Sequence, residues 1–165
     1  MTSKNDPHGL ARFFVAQEGV YETAIGEIRQ GAKRSHWMWF IFPQAAGLGH
    51  SPMARRYAIQ SREEARAYLA HPVLGQRLRE CVSALRGRSC GTPETIFGGI
   101  DALKLRSSLT LFDAVSDDPL FAEALDRLFG TRDEATLAWL GQFTMVARHS
   151  AAQSGLNHER NQGAA

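Results

Sequence analysis

Cysteine is scarce in this chain, and what there is forms no pattern. Cys81 and Cys90 are the only two, and with no CxxC and no cysteine–histidine spacing they supply neither a disulfide framework nor a zinc site. Both are expected to be reduced thiols, with Cys81 lying in an apolar helical stripe rather than serving as an activated nucleophile. HExxH, GxSxG, GxGxxG and P-loop motifs are missing as well, which argues against the chemistries those spacings serve. No metal and no cofactor is expected. Long apolar runs are also absent: the densest block, WMWFIFP from Trp37 to Pro43, is far shorter than the roughly 20 residues a membrane helix needs. MTSKNDPHGL has no signal-peptide core. The expectation is a cytoplasmic protein with no membrane partner.

What is present reads as one globular domain. The 165 residues are 44% apolar and 22% charged, an ordinary composition and enough chain for one sizeable core. The net charge of +2 is unevenly placed: through Thr110 there are fifteen Lys/Arg against nine Asp/Glu, and from Leu111 on four against eight. A basic front can attract phosphates or carboxylates. Sixteen of the nineteen bases are Arg in an Ala/Arg/Gly-rich chain, so compositional bias also accounts for it.

Proline marks the helices, because it is tolerated at the first helical position behind a capping residue. Asp6-Pro7, Ser51-Pro52, His71-Pro72, Thr92-Pro93 and Asp118-Pro119 fit that slot, with His71 the weak cap. Ser61…Glu64 and Thr131…Glu134 add two capping-box starts. Apolar stripes of helical period follow, as in Tyr21, Ala24, Ile25 and Ile28, in Leu74, Leu78, Val82 and Leu85, and in Phe121, Ala124, Leu125 and Leu128. Gly31, Gly87 and Gly130 stand as stops behind them. The expected fold is all-α, a single compact multi-helix domain over residues 1–140, followed by a polar, flexible tail over 141–165.

KRSHWMWFIFPQ, Lys33 to Gln44, is apolar on both faces whether read as helix or as strand, so it is expected to be a buried Trp/Phe-rich central element. A buried indole needs a partner for its N–H, and Lys33, Ser35, His36 and Gln44 form a polar collar around that wall. In GGIDALKLRSSLTLFDAV, Ile100, Leu103, Ser107, Leu111 and Val115 form one helical stripe, and Asp101, Lys104, Ser108 and Phe112 the adjacent one. Asp101 and Lys104 are either a surface pair at i, i+3, or Lys104 and Ser108 turn inward to bind an anion beside the Trp wall. GLGHSPMARRYAI is a Gly-rich turn into a helix with Ser51 at its cap and Arg55 and Arg56 one turn in. Such a helix start can bind anions, or be no more than a capped helix.

These stretches, together with HPVLGQRL and IFGGIDALKLRSSLTLF, resemble in order a bacterial family catalogued as domain of unknown function 1810, over about Leu10 to Leu140. Some of its members carry the label calpastatin, which does not fit, because those inhibitors are largely disordered. The resemblance implies a compact all-helical domain and no settled activity.

Two functions compete. In the first, a small-molecule site, Trp37 and Trp39 face a planar group while Lys33, Gln44, Ser51, Arg55, Lys104 and Ser108 hold an anionic, nucleotide-like ligand. His36 is there the candidate acid or base, with Asp101 to orient it, should the site be enzymatic. The alternative is an interaction module that uses the basic front on nucleic acid or an acidic protein. Nucleic acid is disfavoured because the aromatics form one apolar block rather than a groove interleaved with bases. Oligomeric state is not readable from the chain.

Overall fold

In the computed structural model, which describes residues 5–142, the regular elements are helices. They are α1 (Ala11–Gln17), α2 (Tyr21–Gln30), α3 (Met38–Ile41), α4 (Pro52–Arg56), α5 (Arg62–Ala70), α6 (Leu74–Arg86), α7 (Pro93–Phe97), α8 (Gly99–Ala114) and α9 (Pro119–Leu128). Residues 134–142 form a further helical segment, α10. Among the described residues, β pairing is limited to one parallel bridge between Ala45 and Ile59. The chain is an all-α single domain, and none of these helices is long and apolar enough to cross a membrane.

The capping residues act as their chemistry predicts at four starts. Ser51, Ser61, Thr92 and Asp118 accept the N–H of Ala54 (3.1 Å), Glu64 (3.1 Å), Thr95 (3.2 Å) and Leu120 (3.0 Å). Elsewhere the pattern shifts. Asp6 accepts the N–H groups of Leu10 (2.7 Å) and Ala11 (3.0 Å), so it closes a turn, and the helix begins only at Ala11. His71 caps through its ring: Nδ1 accepts from both Val73 and Leu74 at 3.2 Å. At the last start the cap is Asp133, which takes the Thr136 N–H at 3.0 Å, and not Thr131, which lies two residues too early for the first turn. Gly31 ends α2 at φ +77°, a left-handed stop that a side chain would strain.

α8 runs through the centre, packed by α5, α7 and α9. Between Leu105 and Phe112 all its residues but Arg106 are buried. The core face is therefore not the stripe beginning at Ile100 and Leu103, which are 76% and 57% exposed; it runs through Ala102, Leu105, Leu109 and Phe112. Periodicity cannot orient a helix whose middle is buried all round, with Ser107, Ser108 and Thr110 among the buried residues. The expected boundary at 140 also moves, because residues 141 and 142 continue α10. The expected tail beyond them, 143–165, lies outside the described residues.

Candidate functional site

The Trp-rich element is core. Trp37, Met38, Phe40, Ile41 and Phe42 are all buried, and Trp37 meets Phe97 edge-on at 6.0 Å. The indole N–H of Trp37 donates to Glu27 at 3.2 Å. Glu27, itself buried on α2, also accepts the N–H of Arg34 (2.6 Å), the N–H of Ser35 (2.9 Å) and the Ser35 hydroxyl (2.6 Å). Burial alone would push this carboxyl up, but the four donors outweigh it and hold the group down at about 2. Glu27 thus folds the 31–37 loop over the indole. The sequence signal for it is a carboxylate standing among Ala24, Ile25 and Ile28 on the apolar face of α2.

The expected collar is brought together only in part. Lys33, with a side chain only 8% exposed, pairs with Asp101 at 3.0 Å and donates to the Ser35 carbonyl at 2.7 Å. Lys104 approaches the other oxygen of Asp101 at 3.5 Å. Each ammonium lies over an indole, Lys33 over Trp37 at 5.1 Å and Lys104 over Trp39 at 5.2 Å. The partners of Asp101 are therefore two lysines, and no bond joins it to His36, which is exposed. Gln44 contributes its carbonyl to the Ile59 N–H at 2.9 Å. Ser51 is spent on capping α4, a helix of only 5 residues, and Arg55 is exposed on that helix. Ser108 is sealed within the core, and its Oγ meets no hydrogen-bond partner among the described residues. Cys81 is buried too, its thiol pushed up to about 12 by burial first and by Glu80 next.

An open groove lies elsewhere, along α6 where α2 and the end of α5 flank it. Its volume is about 910 Å³, and Arg29, Arg79, Arg88, His71, Glu80 and Ser83 stand around it. Arg88 donates to the carbonyls of Arg29 (2.8 Å) and Ile28 (3.4 Å), a cation at the negative end of α2. Its guanidinium also lies so close to Gly31 that a Cβ there would sit 2.3 Å from Nη2. Arg79 reaches Asp118 at 3.3 Å and the Leu69 carbonyl at 3.1 Å. Arg29 is exposed. The one carboxylate in the wall, Glu80, accepts from the Tyr21 hydroxyl and from Gln76 (3.1 Å); burial, then Glu80, pushes the Tyr21 hydroxyl up. Smaller cavities of about 430 Å³ and about 200 Å³ lie beside Phe14 and beside Cys90, and none of these three is walled by Lys33, His36, Gln44, Asp101 or Lys104. The sequence signal for the groove was the polar face of α6, Gln76, Arg79, Glu80, Ser83 and Gly87, opposite the stripe of Leu74, Leu78, Val82 and Leu85.

Among the described residues no three His, Cys, Asp or Glu side chains gather as a metal site requires. No curated protein matches the chain. The conserved hypothetical protein Rv1873 from Mycobacterium tuberculosis, known from a crystal structure, is similar at 48% identity and a TM-score of 0.80, over 81% of this chain and 97% of that one. A likeness of that extent carries the helical arrangement described above, and it agrees with the match of residues 7–140 to a family model described as protein of unknown function, DUF1810. The chain belongs to that family.

Proposed function

We propose that the protein binds a small anionic molecule, a phosphate or carboxylate compound, and that it does so in the α2–α5–α6 groove rather than at the Trp collar. The supporting observation is the charge of the wall: Arg29, Arg79 and Arg88 surround a groove of about 910 Å³ whose single carboxylate, Glu80, is already engaged by Tyr21 and Gln76. That volume suits a small ligand, and guanidinium forks match phosphate and carboxylate oxygens. At the collar Asp101 already occupies the ammonium groups of both Lys33 and Lys104, whereas of the three groove arginines Arg79 alone is paired with a carboxylate, Asp118.

Thermal-shift measurements with pyrophosphate, citrate and nucleotides test the reading on the parent and on two variants, Arg29→Gln and Ser83→Glu. Both positions are exposed, so the changes alter charge without emptying the core. A ligand at a hundred times its dissociation constant stabilises the parent by about 2.7 kcal/mol, and the shift disappears in Ser83→Glu. A shift lost instead on Lys104→Met and kept in Ser83→Glu returns the site to the collar. Retention on duplex DNA at about 0.15 M salt that depends on Arg55 and Arg56 makes the protein a nucleic-acid module instead.

A further inference from the structure

We infer that the groove's ligand is an amphipathic anion, whose apolar part lies in the second cavity, across His71 from the arginines. The inference rests on the anion-binding reading above and names the class of ligand. The second cavity, of about 430 Å³, is walled mainly by Leu10, Ala11, Phe14 and Ala67, and His71 belongs to its wall as well as to that of the groove. The two cavities therefore adjoin at His71, with three guanidiniums in the wall of one and an apolar, partly aromatic lining in the other. Phe14 is 37% exposed, belongs to that cavity's wall and lies 6.3 Å from the His71 ring.

Charge fixes the direction in which such a molecule lies. At the far cavity Asp6 is held ionised by the N–H of Ala11 and that of Leu10, with burial opposing and Arg12 adding to the effect. A second negative group is unwelcome beside it, whereas the groove beyond His71 is rich in cations. At the junction His71 offers a donor: its Nδ1 accepts the Val73 and Leu74 N–H groups, so in the neutral ring the proton sits on Nε2. The carboxylate or phosphate belongs with the arginines, and the chain or ring it carries belongs against Phe14.

Calorimetric titration with acetate, octanoate and decanoate as free monomers, with pyrophosphate as competitor, tests this. Affinity rises by up to about fourfold per methylene that enters the cavity, and pyrophosphate displaces the longer acids. In Ala11→Phe, which fills the cavity from an exposed position of α1, the chain-length gain is lost while pyrophosphate binding remains. In Ser83→Glu both are lost. Affinity that stays flat from acetate to decanoate while pyrophosphate binds overturns the inference and leaves the groove reading standing. Decanoate binding that persists in Ser83→Glu and resists pyrophosphate also overturns it, by making the cavity a separate apolar site. If no probe binds, both readings fall. Sedimentation with anionic phospholipid vesicles, without binding of the free acids, would place the chemistry on a membrane surface and overturn the inference as well.

Discussion

Two regions of this molecule collect basic side chains, and they use them in opposite ways. Around the Trp wall Lys33 is almost wholly buried and Asp101 about a fifth exposed, the pair closes at 3.0 Å, and Lys104 joins from the second oxygen. Along α6 Arg79 is paired with Asp118 at a half-exposed site and Arg88 caps the carbonyls of α2, but Arg29 is exposed and the one carboxylate in the groove wall is held by Tyr21 and Gln76. Aromatic surroundings make polar groups dependent on partners from the protein itself, so the polar collar of a buried wall tends to close upon itself. Charges on the outer face of an amphipathic helix have water as an alternative and remain free to exchange it for a ligand.

The most direct way to break the comparison is at Trp37. Its replacement by Ala removes a fully buried indole and one of the four donors to Glu27. The expected loss is about 3–5 kcal/mol in urea-monitored unfolding. A loss under about 1 kcal/mol would mean that the wall is not core. Asp101→Asn comes next: it leaves the buried Lys33 ammonium without its counter-charge. Full burial would make that cost about 3–5 kcal/mol; the partial exposure of Asp101 brings the expectation to about 1–3 kcal/mol. Lys104→Met, on the more exposed arm, should stay within about 0.5 kcal/mol. Equal effects of the two changes would show that the lock is not asymmetric.

The helical fold was legible because caps, prolines and stripes are local signals, each readable within one turn. Ser51, Ser61, Thr92 and Asp118 acted where they stood in the chain. The start of α2 was not marked this way, because its cap position is Val20 with no side-chain bond. The orientation of α8 was illegible for another reason: six consecutive buried residues from Ser107 to Phe112 erase the periodic contrast that points to a core. The site was harder still. Arg29 and Arg88 lie on opposite sides of the WMWFIF block, and Lys33 and Asp101 lie even farther apart in the chain. Only the folding of α2 and α7–α8 around the core decides which basic group meets a carboxylate and which meets solvent.

Acid titration sharpens the comparison at Glu27, whose contribution varies with pH only at the acid end. Its carboxyl sits at about 2 in the folded protein against an ordinary value of 4.5. A depressed folded value means that its contribution is fully present above the ordinary value and is lost as pH falls toward and through about 2. Stability of the parent should therefore decline over that interval, and Glu27→Gln should be less stable at neutral pH with a flatter acid limb. The two curves should converge at the acid end. Parallel curves from neutral to acid would show that the Glu27 cluster does not hold the loop by charge.

The smallest expected effect belongs to the groove and tests the other half of the contrast. Arg29 is exposed, and no ion pair among the described residues involves its side chain. Arg29→Gln keeps much of the length and polarity of the side chain and removes its charge. Its unfolding free energy should lie within about 0.5 kcal/mol of the parent, as for surface changes away from cores and caps. Arg88 is the internal control, because its guanidinium closes the carbonyl end of α2 over Gly31; Arg88→Gln should cost more, about 1 kcal/mol for the lost cap bonds. If Arg29→Gln destabilises as much as Arg88→Gln, the groove's charges are bound into the fold no less firmly than those of the collar. The distinction between a closed lock and an open site would then disappear.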